Sequence, residues 1–508
     1  NDFGKFNVSA QFGYHQIENT IDRLSTYGNT FESKDFYSIG NCLASSVKSQ
    51  TTQTTRRVQA ISAQVSVGYN NLAFVTLRAR NDWSSTLPVN NRSYFYPAVE
   101  AALIPTEFMF LKGNEYVTYL KLRGAIAQVG KDASPLSIDP ALTQTGLYGG
   151  GFKYGYSGPN HKLKPEMTTS YEVGMEGRFL KDRINMDFSY YWTHCKDQYV
   201  TGFRLSYATG FVLNNMNVGT FNTHGWEFHI DGDIIKNAQW RWNLGINASH
   251  STSKVVYLPP SVSEYYNAYT WNSGNIRNGI MVGQPVTTLT GRAYRRNAKG
   301  QILINPSSGY PLVNTYWSVI GDREPMLRFG VTSSLSYKEF RLSAVFAGRY
   351  HATVVNGTKR SMMSRGMSWE SVKLREGPSK IFKGVLNDGN QDTDNPTINT
   401  IAVNYAVDVY SGGDEDWLEK NVNYVRLQEL RFSYTVPSSW LANVTHRILS
   451  SATLWVAGND LAIWTNYSGI DAVGNTTSAA LGGTGGEGYD VWSIPSPRTY
   501  SFGINLTF

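Results

Sequence analysis

No stretch of this 508-residue chain approaches the ~20 consecutive apolar residues that a membrane-spanning helix needs, so a bilayer cannot be crossed here by helix. Cysteine is nearly absent too. Cys42 and Cys195 lie far apart, which excludes a disulfide scaffold and leaves a single bridge as the less favoured reading. There is no CxxC, no HExxH and no Cys/His cluster at zinc spacing. The net charge is +7, yet no run of five Lys or Arg occurs, so a nucleic-acid-binding arm is excluded. The excess reads as dispersed surface charge, with anionic lipid headgroups or an anionic ligand as its partners. No Ser/His/Asp order or carboxylate pair stands out among the 39 acidic residues, and no enzymatic activity is expected. His224 and His229, five apart in one strand, fall on opposite faces and cannot share a metal. Helical periodicity is scarce, with 438–443 the best short candidate. The chain opens on "NDFGKFNVSAQFGY", without Met, signal or targeting segment, and enters a strand pattern at once; it reads as a portion of a longer protein.

What is present favours strands and turns. Aromatics make up 13% and there are 47 Gly, a mix that suits pleated surfaces and tight turns better than helices. A mean hydropathy of −0.33 fits half-apolar strands joined by polar loops. Period-two alternation recurs. In "INMDFSYYW" (184–192), Ile184, Met186, Phe188, Tyr190 and Trp192 share one face, and Asn185, Asp187, Ser189 and Tyr191 the other. "WEFHIDGDI" (226–234) and "WRWNLGINA" (240–248) alternate in the same way, as do 61–69, 171–179 and 340–346.

The connections are unequal. Tight polar turns in "FLKDRI" (179–184), "IIKNAQW" (234–240) and "SYKEFRL" (336–342) alternate with long Gly-, Asn-, Pro- and Tyr-rich stretches near 131–165, 200–218, 255–283, 296–323, 351–420 and 465–496. Short turns on one side and long loops on the other describe a transmembrane antiparallel β-barrel. A dry sandwich core would not accept the Glu, Asp, His and Arg of the second face, whereas a water-filled lumen does. The pattern predicts an all-β chain of about 14–16 barrel strands in the outer membrane.

Several segments resemble the SusC/RagA-like TonB-dependent transporters of Bacteroidetes. They run in the family's order: "LKPEMTTSYEVGMEGRFLKDRINMDFSYYWTHCKD" (163–197), "NVGTFNTHGWEFHIDGDIIKNAQWRWNLGINASHSTSKV" (217–255), "IGDREPMLRFGVTSSLSYKEFRLSAVFAGRY" (320–350), "NYVRLQELRFSYTVPSSWL" (423–441), "VAGNDLAIWTNYSGID" (456–471) and "PSPRTYSFGINLTF" (495–508). "TLRARNDWSSTLP" (76–88) and "LKLRGAIAQVG" (120–130) fit more loosely, with Trp83 where the family usually has Gly. The resemblance implies the C-terminal portion of a barrel of about 22 strands, whose plug, TonB box and first strands lie upstream of this chain. It implies uptake of a bulky nutrient, an oligosaccharide or oligopeptide. A SusD-like surface lipoprotein would act as lid, and TonB would pull on the plug. A scaffold barrel that moves no solute is the alternative, with a plain porin a distant third.

On the terminal strand, Tyr500, Phe502, Ile504, Leu506 and Phe508 form one apolar face, expected to meet lipid. The strand is expected to close the barrel against a strand upstream of Asn1, and its last aromatic resembles the mark read by outer-membrane insertion machinery. For solute binding, the loop aromatics Tyr265, Tyr266, Tyr269 and Trp271 are candidates, with Trp317 and Trp369 as weaker ones, because aromatic platforms stack on sugar rings and pack against peptides. Packing against the lid or another loop is the competing reading. Asp388, Asn390, Asp392 and Asp394 alternate as in a calcium loop, but the glycine and closing glutamate of an EF-hand are missing. A solvated acidic loop is favoured, with calcium the alternative and no other cofactor expected. "LGGTGGEGYD" (481–490) lacks the strand-to-helix context of a phosphate cradle and reads as a mobile loop.

Overall fold

The computed structural model describes residues 2–139, 142–145, 151–155, 157–203, 213–260, 262–269, 276–376, 380–403, 413–444, 448–473 and 487–508. Its long strands are β1 Phe6–Tyr27, β2 Lys48–Tyr69, β3 Ala73–Ser84, β4 Ser93–Leu103, β5 Val117–Lys131, β6 Glu166–Phe179, β7 Ile184–Phe203, β8 Leu213–Lys236, β9 Trp240–Tyr257, β10 Leu327–Tyr337, β11 Phe340–Asn356, β12 Leu418–Thr435, β13 Ser451–Thr465 and β14 Thr499–Thr507. These fourteen, with three strands of two residues, form one hydrogen-bonded sheet. The helices are short: α1 Gly357–Ser364, α2 Trp369–Glu376 and α3 Ser438–Val444. No helix among the described residues is long and apolar enough to cross a membrane.

The tight turns have local causes. Asn70 and Asn71 both take positive φ, the backbone a two-residue hairpin turn requires, and asparagine tolerates it better than most residues. Leu180, Lys181 and Asp182 follow one another at positive φ between β6 and β7. Lys338, also at positive φ, opens the two-residue link from β10 to β11. The link from β8 to β9 is also short (237–239), while several of the longer connections carry structure of their own. The segment between β11 and β12 holds α1 and α2, and α3 lies between β12 and β13, over the stretch whose sequence predicts a helix.

The chain forms two compact units, residues 1–103, 123–171 and 193–220 in the first, and 104–122, 172–192 and 221–508 in the second. In the first, β1 and β2 pair without a break from Phe6↔Tyr69 to Tyr27↔Lys48. β2 pairs with β3 and β3 with β4, all antiparallel. Register decides what each face carries. Phe12, Ala63 and Ala79 align with Pro97, and Ala10, Val65 and Leu77 with Val99, so one face is apolar across all four strands. One residue along, Gln64 meets Arg78 and Ser66 meets Thr76, giving the polar face. Leu87, Tyr94, Ala133 and Leu163 form a small buried cluster in this unit. Beside β5, Asp132 takes a two-pronged bond from Arg56 (Nε and Nη2, both 2.9 Å).

In the second unit, β9–β10–β11–β12–β13–β14 is a continuous antiparallel ladder. Aromatic side chains gather beside its tight turns: Trp240 and Tyr337 have ring centroids 4.3 Å apart, and Phe340 lies 4.9 Å from Tyr434. The connections 258–326 and 357–417 fold on each other around a core that includes Ile276, Leu289, Ile304, Val355, Met363 and Trp417. Within this unit Asp414 is fully buried and ties three segments together, accepting from the Arg292 backbone N–H (2.8 Å) and from Arg360 of α1 (3.4 Å). Burial pushes its carboxyl above the usual carboxylate range, against the pull of Arg292 and Arg360.

Candidate functional site

The polar face of the strands is built for water. In the first unit, Arg78 donates to Gln64 (2.8 Å) and pairs with Glu100, while the Ser66 and Thr76 hydroxyls lie 3.0 Å apart. Farther along, Asp82 accepts from Tyr96 (2.9 Å) and Arg80 (2.6 Å). Charges in this density need either water or mutual pairing, and here both are available.

In the second unit the same face opens into a cavity of about 360 Å³. Asp187 of β7, Glu227 and His229 of β8, Asn247 and Ser249 of β9, and Arg328 of β10 line it. Strand register brings Arg328 opposite Ser249. Arg328 is fixed from behind: it donates to Glu324 (2.9 Å) and Glu487 (2.6 Å), and Arg349 also holds Glu487 (2.8 Å). Burial works to raise the Glu487 carboxyl, but the Arg328 bond and the Arg349 charge hold it below its ordinary value. The cavity thus offers two carboxylates and an imidazole facing one pre-aimed guanidinium. Such a surface binds and orients solutes carrying charge or many hydroxyls. It contains no hydroxyl or thiol nucleophile paired with a base, the arrangement covalent chemistry requires.

The aromatics predicted for solute binding are placed unevenly. Tyr265, Tyr266 and Tyr269 lie on a short strand, Tyr265–Tyr269, whose register sets Tyr265 against Ile280 and Tyr269 against Arg277. Burial raises the Tyr265 phenol to about 12. Trp271 lies outside the described residues. Arg277 stacks over the Trp317 ring at 3.9 Å and pairs with Glu264 (3.4 Å), so Trp317 is joined to this strand through a cation–π contact. Trp369 stands apart at the start of α2, 74% exposed.

The three carboxylates of the acidic loop are each engaged by a different donor. Asp388 accepts from the Asn390 backbone (2.9 Å), Asp392 from the Ala298 backbone (3.0 Å), and Asp394 pairs with Lys299 (3.3 Å). Among the described residues, no group of three or more His, Cys, Asp or Glu converges as a metal site. Cys42 and Cys195 are both free thiols, Cys42 buried and Cys195 beside Thr168 (3.5 Å). Tyr500, Phe502, Ile504 and Leu506 align with Gly458, Val456, Leu454 and Ala452 of β13, and all four are exposed, as is Phe508.

Long antiparallel strands, apolar on one face and charged on the other, with tight turns and structured long connections, define a β-barrel of the outer membrane. Residues 1–361 match the family model for the β-barrel of TonB-dependent receptor-like proteins, and the chain belongs to that family. A TonB-dependent receptor of Formosa agariphila is 23% identical over 97% of this chain and 50% of its own length. The TonB-dependent receptor SusC of Bacteroides thetaiotaomicron is 23% identical over 91% of the chain and 45% of its own. The chain spans about half the length of these relatives. Solved structures of the RagAB peptide importer superpose over the whole chain and 54% of theirs, with a TM-score of 0.76 at 18% identity, a likeness of fold. The chain is thus a TonB-dependent receptor-like outer-membrane barrel, a class that carries its tight turns on the periplasmic side and its long connections outside.

Proposed function

We propose that this chain forms the outer-membrane barrel portion of a TonB-dependent importer of oligopeptide or oligosaccharide, working with a SusD-like lipoprotein lid and with TonB acting on an upstream plug. The observation that carries the reading is the cavity on the polar face, where Asp187, Glu227 and His229 oppose Arg328. Charges of both signs suit the ends and side chains of a peptide better than a neutral glycan. The family match supports import through a TonB-dependent barrel, and the fold is shared with the RagAB peptide importer. A solute this large needs a wide lumen, and a wide lumen needs a plug and an external source of work. In this reading the long connections, with Tyr265, Trp317 and Trp369, meet solute or lid. The acidic loop 388–394 stands as a surface loop, calcium its alternative occupant.

Deleting the parent reading frame and following uptake of labelled oligopeptides and oligosaccharides tests this. Loss of peptide uptake that also requires the proton gradient is expected. Loss of glycan uptake instead would change the substrate class, and unchanged uptake of both would leave the scaffold alternative.

A further inference from the structure

A second cavity, of about 460 Å³, opens on the opposite, apolar face of the first unit. Its lining is ordered along the strands. Tyr14 of β1 and Ile61 of β2 are register partners at one end, Trp83 of β3 pairs with Gln59 in the middle, and Arg57 and Arg92 lie beyond them. The side chains below Tyr14 and Ile61 are those of the apolar band: Phe12, Ala63, Val65 and Leu77. That band begins at the Phe6–Tyr69 aromatic pair, whose rings are 5.0 Å apart beside the tight turn at Asn70 and Asn71. From Tyr69 to Gln59 the strand climbs ten residues, ~33 Å along its axis and ~25 Å along the membrane normal at a ~40° tilt, about the height of the apolar band of an outer-membrane barrel. Trp83 therefore sits at the outer interface, and the two guanidiniums sit in the headgroup layer just above it.

The polar end is equipped for an anion. Arg92 is exposed and, among the described residues, has no ion-pair partner. The Ser85 hydroxyl accepts from the Arg57 backbone (3.0 Å) and keeps its own proton to donate. Arg57 is shared with Glu18, which takes a bond from Nε (2.7 Å). Headgroup-side donors above an aromatic–aliphatic floor match one kind of occupant. We propose that this cavity is a binding site for the phosphate headgroup of an anionic lipid of the outer leaflet. Arg57, Arg92 and Ser85 hold the phosphate, and Tyr14, Ile61 and Trp83 pack against the first carbons of its chains.

The purified full-length protein in detergent is titrated with a short-chain phosphatidylglycerol, with phosphatidylcholine of the same chain length, and with inorganic phosphate, and bound lipid is counted by native mass spectrometry. Phosphatidylglycerol is expected to bind more tightly than phosphatidylcholine. The Arg57→Gln/Arg92→Gln double variant should lose roughly ten- to thirtyfold of that affinity, at about a decade or less per arginine near an anionic surface. Arg23→Gln, on the neighbouring strand β1 and outside the cavity, should lose none. Glu18→Gln, which releases Arg57 from its pair, should bind phosphatidylglycerol more tightly, a gain that misfolding cannot produce. Equal affinity for the two lipids, or an unchanged Arg57→Gln/Arg92→Gln variant, overturns the proposal. So does inorganic phosphate that displaces the lipid at matched concentration, because the site would then be a simple anion site.

Discussion

Arg426 is the side chain whose removal should do most damage outside the apolar core. It lies in β12 with its side chain only 8% exposed, and it bridges Asp460 of β13 (3.2 Å) and Asp471 in the connection that follows β13. Asp471 is itself 12% exposed and also accepts from the Val473 backbone (3.0 Å). Arg426→Met keeps much of the volume and removes the charge. Asp471 is then left buried without its cation, a change that costs about 3–5 kcal/mol when a buried pair is broken. The retained Val473 bond and the part-exposed Asp460 reduce this to about 2–4 kcal/mol, ~30- to 1000-fold in the opening equilibrium of the segment. Hydrogen exchange at residues 466–473 should speed up by that factor while exchange in β1 and β2 stays unchanged. Adding Asp471→Asn should recover most of the loss, since the only carboxylate then left without its cation is Asp460, the more exposed of the two.

The pH dependence has a definite sign. Burial works to raise the Asp471 carboxyl, but the Arg426 bond lowers it below its unfolded value. The pair therefore stabilises the segment at every pH above about 4 and is lost as acid carries the carboxyl through its depressed value. In Arg426→Met that acid-dependent step should vanish. Unchanged exchange in the single variant would refute the reasoning, and so would a double variant as labile as the single one.

Three further outcomes follow from local geometry. A Cβ on Gly225 would lie 2.4 Å from the His250 carbonyl and 2.6 Å from the Tyr191 hydroxyl, so Gly225→Ala must push β8 away from β9; a loss of about 1–3 kcal/mol in denaturant titration is expected. Leu289→Ala empties a fully buried site in the core beneath the long connections and should cost about 2–5 kcal/mol, seen as faster proteolysis of 276–291 with the strands intact. Arg328→Gln removes the one guanidinium lining the polar-face cavity and should weaken uptake of acidic peptides at least tenfold while sparing basic ones, measured as competition between the two in cells.

The strands were legible because alternation is a local property. "INMDFSYYW" carries its two faces in its own order, and β7 presents them as read. The turns after Phe179, Lys236 and Tyr337 were legible for the same reason, as short polar breaks between periodic segments. The site was not. Alternation places Glu227 and His229 on the polar face, but only register sets Arg328 opposite Ser249, and register depends on partners up to a hundred residues away. The aromatic candidates depend on distant partners in the same way. Composition marks Trp317 as a binding platform, while Arg277, whose position depends on a short strand within a long connection, already lies over its ring. α1 and α2 were missed because neither has a strong apolar stripe; α1 is fixed instead by the Asn356 cap on the Lys359 backbone and by Arg360 reaching Asp414.

The central claim is that one strand wall separates lipid from water, residue by residue. Cysteine scanning along β2 tests it most directly, in a background with Cys42 and Cys195 replaced. Gln64→Cys and Ser66→Cys should react with a membrane-impermeant maleimide in intact outer membranes, while Ala63→Cys, Val65→Cys and Val67→Cys should stay unlabelled and, once tagged with a fluorophore, be quenched by brominated lipid. Equal labelling of both sets, or labelling with the opposite parity, would contradict the account.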